Sequence, residues 1–342
     1  MNLDARKQEI LALIVRTHIA TGEPVSSGVI ARRCATRLSS ATIRNVMASL
    51  EEAGFLRQPH TSAGRTPTGK AYEFYAQEIA PRGRLSSADQ KWINRNLAGG
   101  DTDAEALLSR APHVLGELCH GVGLVLMPPL ASTALEQVRF LTLDAQRLLA
   151  VVITRAGLVR DKVVRTRNRL RADELERMNN YLNENFRGWT LAAIRAEMER
   201  RVAAERSEFL RLTLDLCRET FQPQEDAAAL RLEGVAHLTE QVEGIPADEW
   251  RELLQALEEK ERLAQLLADC VESPEQPLRV VIGLERLSPA MKDFALIGAR
   301  YGRGVRLSGS LGLLGRTRMD YDRAVTAVAY VAKFFDRVMT EN

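Results

Sequence analysis

The residues with the clearest capacity for chemistry lie in the stretch "SSATIRNVMASLEEAGFLRQPHTSAGR", Ser39–Arg65. Wound as a helix at about 100° per residue, Ile43, Val46, Met47 and Leu50 form one apolar stripe, the i, i+3, i+4, i+7 pattern of a buried face. The opposite side carries Ala41, Arg44, Asn45, Ala48 and Ser49. Small residues let a helix backbone approach DNA closely. Arginine can then pair bidentately with guanine, and asparagine with adenine, in the major groove. An ordinary solvated helix face uses the same residue types, so the helix alone leaves both readings open.

The loop that follows favours the first reading. Between Pro59 and Pro67 it has no apolar residue larger than Ala63, so it cannot be core. Gly64 permits a tight turn, Thr61 and Ser62 offer hydroxyls to phosphate, and Arg65 stands where a loop tip could reach the minor groove or a phosphate. The candidate DNA-binding set is therefore Ser39, Ser40, Ala41, Thr42, Arg44, Asn45 and Ser49 on the helix, with His60, Thr61, Ser62, Gly64 and Arg65 in the loop.

Those residues need a frame. From Asp4 to about Ala20, Ile10, Leu13, Ile14 and Thr17 fall on one helix face, and Gly22 then Pro24 end it. Ser26 or Ser27 can cap a short second helix to about Arg33. After a turn at Thr36–Leu38, Ser39 or Ser40 caps the third helix, which Gly54 stops. Helix, short helix, turn, helix is the helix-turn-helix skeleton. A strand at Phe55–Arg57 returning towards Thr66 makes the loop resemble the hairpin of a winged helix. Thr68 caps a further helix with Tyr72, Phe74 and Tyr75, and Ala80–Gln90 reads as a linker.

Beyond it, helical segments around Lys91–Leu97 and Ala104–Leu118 lead into "GVGLVLMP", "QVRFLTLD", "LLAVVITRAG" and "LVRDKVVRT", which read as consecutive strands. Residues 172–270 are mostly helical, with one long helix over Asp248–Asp269. Strand character returns in "LRVVIGLE" and "FALIGARYGRGVRLSGSLGLLGR", and Tyr321–Met339 closes as a helix. This order predicts an α+β multidomain chain in which a helical insertion interrupts one domain. Leu253, Leu254, Leu257 and Leu263 mark an apolar stripe on an otherwise charged helix, a candidate dimerisation surface.

Composition excludes other classes. The chain has 342 residues, 45% of them hydrophobic, and a net charge of +2. Its first 75 residues hold ten Lys/Arg against six Asp/Glu, a modestly basic head. The longest apolar segment, from Val122, is interrupted by Pro128 and Pro129 and is too short to span a bilayer, which takes about 20 residues. "MNLDARKQEI" lacks an apolar h-region, so no secretory signal is expected. Cys34, Cys119, Cys217 and Cys270 are isolated and read as reduced core thiols of a cytoplasmic protein. His18, His60, His113, His120 and His237 show no metal-ligand spacing; His120 beside Cys119 reads as local packing.

The glycine-rich "GARYGRGVRLSGSLGLLG" is neither a dinucleotide fingerprint nor a Walker A loop. Asp320 fits the N-cap of the last helix. Glu258–Glu259 read as a solvated face, and Tyr181, Phe186 and Trp189 as core rather than partner surface. With no catalytic residues, metal or cofactor expected, an enzyme with a DNA-binding head is the weaker alternative.

Here a resemblance becomes specific. Ser39–Tyr75, "SSATIRNVMASLEEAGFLRQPHTSAGRTPTGKAYEFY", resembles the N-terminal signature of the HrcA-type heat-inducible transcription repressors, and Gly309–Tyr321, "GSLGLLGRTRMDY", resembles that family's second signature. The resemblance extends over essentially the whole chain, departing at Arg316, where the family usually has proline. It implies a winged-helix DNA-binding domain (1–79), a linker (80–90), a GAF-like α+β domain in two parts (91–176 and 273–342) and an inserted dimerisation domain (177–272). It further implies a homodimer that binds double-stranded DNA at an inverted-repeat operator of chaperone operons and is kept active by the chaperonin. A repressor controlled by a small effector in its GAF-like domain is the alternative.

Overall fold

The computed structural model describes residues 3–34, 38–60, 63–97, 104–127, 133–155, 159–166, 169–205, 207–221, 230–240, 246–271, 278–302 and 309–341. Its first unit is a three-helix head: α1 (Ala5–Thr21), α2 (Ser27–Arg33) and α3 (Ser40–Glu52). Local chemistry sets the ends. The Asp4 carboxylate accepts from the Lys7 amide at 2.8 Å, and Gly22 closes α1 at φ 75°. The Ser26 and Ser39 hydroxyls cap α2 and α3. Satisfying one orphan amide in this way stabilises a helix start by about 1 kcal/mol.

A two-stranded antiparallel hairpin follows, β1 (Leu56–Arg57) and β2 (Thr66–Pro67), and leads into α4 (Gly69–Phe74). Thr68 precedes α4 but does not cap it. Its hydroxyl points instead at the carbonyls of Gly54 (2.8 Å) and Phe55 (3.1 Å), tying the start of α4 to the end of α3.

The expected linker at 80–90 is packed structure. Residues Tyr75–Ile79 prolong α4 as a π turn, Ala80–Arg82 form a 3-10 turn, and α5 (Ser87–Leu97) begins before the segment ends. Ala80 and Leu85 are buried in one continuous core that runs from Leu3 in the head to Phe335.

After α6 (Ala104–Cys119) and β3 (Val122–Leu126), the chain leaves to form a separate module: β4 (Leu135–Thr142), β5 (Arg147–Thr154), β6 (Val159–Arg165), α7 (Ala172–Phe186), α8 (Leu191–Glu205) and α9 (Glu208–Thr220). The module has its own core, in which Phe140, Val152, Leu182, Phe186 and Met198 meet. Its edge strand β4 is closed by two asparagines one turn apart on α7. Asn183 accepts from the Val138 amide at 2.8 Å and Asn179 from that of Phe140 at 2.9 Å, and each returns a side-chain N–H to the carbonyl of the same residue. Those bonds satisfy backbone groups that an open edge would leave unpaired.

The chain then returns as β7 (Leu230–Glu233), α10 (Val235–Glu240), α11 (Ala247–Glu258), α12 (Lys260–Cys270), β8 (Leu278–Ile282), β9 (Phe294–Tyr301), β10 (Gly309–Arg316) and α13 (Tyr321–Glu341). Five strands make one antiparallel sheet in the order β7-β3-β10-β9-β8. Strand alternation sends Ala295, Ile297 and Ala299 into the core shared with α6 and α13, and Phe294 and Leu296 into a second core under α11 and α12.

Two expectations are corrected here. The unit that interrupts the sheet spans 133–221, not 177–272, because β4–β6 pair among themselves while β7 and α10–α12 belong to the sheet. The single helix expected over Asp248–Asp269 is two helices, broken at Glu259, whose ψ of 66° is not helical.

Candidate nucleic-acid interface

The third helix presents the two faces its periodicity predicts. Ile43, Met47 and Leu50 are buried at 0–1% exposure, while Ala41, Arg44 and Asn45 are exposed and Ala48 and Ser49 half-buried. Several smaller candidates are engaged in building the helix. Ser39 caps it and its hydroxyl also meets that of Thr42 at 2.9 Å. Ser40 meets Ser27 at 3.0 Å and so clasps α2 to α3. Arg44 and Asn45 thus project from a helix fixed at its start, its buried face and, through Thr68, its end.

The loop is built differently from its sequence expectation. Arg65 does not stand at a tip. Its guanidinium pairs with Glu51 at 2.8 Å, with the side chain 18% exposed, and its backbone makes a two-way bridge to Val25. Both contacts stitch the returning strand to α3 and to the lead-in of α2. Gly64 is required for close approach rather than for a tight turn: a Cβ there would lie 2.5 Å from the Val25 carbonyl carbon and oxygen. His60 is exposed, and its carbonyl accepts from the Ala63 amide at 2.9 Å. Thr61 and Ser62 lie outside the described residues. Two exposed arginines on the same head escaped the sequence reading, Arg32 on α2 and Arg57 on β1. Adjacent arginines at the end of a capped helix, and an outward residue on a hairpin strand, were the available signals.

The head is latched to the body by residues from both ends of the chain. Arg16 on α1 donates to the Tyr75 hydroxyl (2.8 Å) and to Asp322 on α13 (2.9 and 3.1 Å). Tyr75 in turn donates to Asp322 at 2.6 Å. The Asp322 hydrogen bond raises the Arg16 pKa further, while burial first, and Asp322 second, push the Tyr75 phenol up. Tyr72 and Tyr75 pack against Tyr321 at ring separations of 5.9 and 6.4 Å. The Arg318 guanidinium crowds Gly22, where a Cβ would strike it. His18 hydrogen-bonds the Tyr72 hydroxyl at 2.7 Å; burial, then the charges of Arg318 and Arg57, lower its pKa, so the ring stays neutral. The first signature therefore ends against the second, although they are far apart in sequence.

Elsewhere the reactive groups are dispersed. Burial raises the thiol pKa to about 12 at Cys119 and Cys217 and to about 11 at Cys270, which keeps them protonated and unreactive. Among the described residues no three His, Cys, Asp or Glu converge on a possible metal site, and no helix is long and apolar enough to cross a membrane. Phe186 is core, whereas Trp189, set edge-to-face against it at 5.6 Å, remains 44% exposed.

Leu253, Leu257 and Leu263 are 1%, 4% and 1% exposed in the core under the sheet, and only Leu254 of that stripe is half-buried. They pack against the chain's own strands and offer no surface to a second copy. The charged face that made the stripe look like an interface is simply the solvent side of α11 and α12.

A three-helix head with a hairpin, latched to an α+β body and exposing Arg44 and Asn45, is an architecture that suits a transcription regulator. The chain belongs to the HrcA family of heat-inducible transcription repressors. The family model for the HrcA C-terminal domain matches residues 105–325. Heat-inducible transcription repressors HrcA of Geobacter sulfurreducens and Syntrophobacter fumaroxidans are each 32% identical to it, covering 99% of this chain and 98% of theirs. That of Xylella fastidiosa is 34% identical over 97% of this chain and 94% of its own. A solved structure described only as a hypothetical protein matches with a TM-score of 0.61 at 26% identity over 99% of both chains. The protein is a transcription repressor and not an enzyme.

Proposed function

We propose that this protein represses chaperone operons in the cytoplasm as a homodimer, each winged-helix head reading one half-site of an inverted repeat. The observation that carries the reading is the exposed Arg44–Asn45 pair opposite the buried Ile43–Met47–Leu50 stripe. Arg44 and Asn45 read base edges in the major groove; Arg32 and Arg57 hold phosphates; Arg65 keeps the wing in place. The five-stranded sheet with its helices is the GAF-like body, and the chaperonin keeps the repressor in its DNA-competent state.

The dimer forms through the outer face of the β4–β5–β6 sheet. Pairing sets Leu141, Leu149 and Val163 in one row, Arg139, Val151 and Asp161 in the next, and Gln137, Ile153 and Val159 in a third. Leu141, Val159 and Val163 are 46%, 48% and 49% exposed. An isologous contact suits such a surface, because a two-fold that stacks the apolar rows can set Arg139 against the partner's Asp161. Two-fold protein symmetry also matches an inverted repeat.

The test is binding to a labelled inverted repeat from a chaperonin-operon promoter, against a scrambled duplex. Arg44→Ala should cost about 1–3 kcal/mol on the operator and relax one position per half-site. Arg57→Ala should weaken both duplexes alike and reduce the salt slope by about one per contact in each bound subunit. Adding chaperonin should raise the DNA-active fraction. An Arg44→Ala protein that binds both duplexes as the parent does would show that α3 is not the reader.

A further inference from the structure

A cavity of about 420 Å³ opens where the segment leaving the head runs between α13 and the sheet. Its described floor is apolar, with Leu85 from the segment, Leu278 and Ala299 from the sheet, and Val325, Ala329 and Ala332 from α13. Its volume lies in the range of small-molecule pockets, about 300–1,000 Å³. The polar groups on it are not evenly mixed. Arg84, Arg300 and Lys333 line it, all exposed and without an ion pair among the described residues. The acid on the lining, Asp336, already accepts from the Gly302 amide at 2.6 Å. Three cations, from the segment leading into α5, from β9 and from α13, therefore lie on the wall of one cavity beside an apolar floor.

We propose that this cavity binds an amphipathic carboxylate of the fatty-acid type, its chain on the Leu85–Leu278–Ala329 floor and its head group among Arg84, Arg300 and Lys333. Burial of methylenes supplies affinity without direction, and the cations select the charged end over a neutral one. A bound chain would bridge the segment that carries the head to the helix that latches it. Thr326, on the cavity wall, donates no bond to the ligand in this scheme, because its hydroxyl already donates to the Asp322 carbonyl at 2.6 Å.

The experiment is calorimetric titration of the full-length protein with decanoate, decanol and decyltrimethylammonium below their aggregation thresholds. Decanoate should bind at one site per chain and at least tenfold more tightly than either comparator. Arg300→Glu combined with Lys333→Glu should abolish that preference, and Ala329→Phe, which fills the cavity from a half-buried position, should remove binding altogether. Thermal melting of both variants without ligand should match the parent, so that lost binding reports the site rather than the fold. Equal affinity for decanoate and decanol, binding that survives Ala329→Phe, or no binding of decanoate would overturn the proposal. The readout is independent of DNA, so its failure is distinct from failure of the operator reading.

Discussion

Replacing Val163 by aspartate places a charge on the surface assigned to the dimer. Val163 pairs with Leu149 on β5, which pairs with Leu141 on β4, so these side chains share the outer face. Fully burying a valine or leucine is worth about 1.5–3 kcal/mol. Val163 is 49% exposed in one chain, so about half of that value is left for an interface to gain. A two-fold counts the residue twice, which gives about 1.5–3 kcal/mol lost per dimer. An unpaired carboxylate pressed into an apolar contact adds a desolvation cost of about 1–3 kcal/mol or more. The sum implies a dimer dissociation constant raised by roughly a hundredfold or more, since about 1.4 kcal/mol is a factor of ten. The solvent-facing position predicts little change in the melting temperature.

Sedimentation velocity across a concentration series reads the shift directly, and operator binding should fall to weak half-site binding. The control is Leu253→Ala. That side chain is 1% exposed inside the protomer, so truncation should cost about 2–5 kcal/mol of stability and leave the dimer intact. If Val163→Asp remains dimeric while Leu254→Asp dissociates, self-association runs through α11 after all and the sheet-face assignment fails.

Gly64→Ala should destabilise the head by about 1–3 kcal/mol through the clash with the Val25 backbone, read as a lower melting temperature and weaker operator binding. Asp89 should give the fold an acid dependence: its hydrogen bond from Arg323 lowers the carboxyl pKa. The stabilisation is therefore complete above the ordinary aspartate value of about 3.9 and lost as pH falls through the lower folded value. Asp89→Asn should lower stability near neutrality and flatten the melting-temperature profile at acid pH; an unchanged profile would dismiss the Asp89–Arg323 pair as a contributor.

What was legible in the sequence was local. Ser26, Ser39 and Asp320 cap helices, and Gly22 and Gly54 take positive φ, because these depend on a few adjacent residues. The apolar stripe of α3 was equally plain. What failed to show depended on partners remote in sequence. Nothing near Arg65 says that Glu51 will claim it, and an arginine after glycine looks free until α3 is placed beside it. Leu253, Leu257 and Leu263 make the same periodic signal whether a helix buries its face in its own sheet or in a second chain. The strands from Leu135 to Arg165 alternate like those of any half-buried sheet, so only pairing reveals that β3 belongs elsewhere.

The misread linker has the furthest consequence. Ala80–Gln90 has the glycine, proline and serine of a flexible tether, yet Ala80 and Leu85 are core and the head's tyrosines lie on Tyr321. A tethered head would search for its half-site independently of its partner. A head fixed by Arg16, Tyr75 and Asp322 carries α3 at an angle determined by α13 and the sheet. On the dimer proposed above, two such heads would present a fixed separation, and spacing between half-sites would become part of what is recognised. This gives a physical reason for the two family signatures to lie at opposite ends of the chain. In the proposed reading, one would supply the side chains that face DNA and the other, meeting it at Tyr72 and Tyr75, would set the direction in which they face.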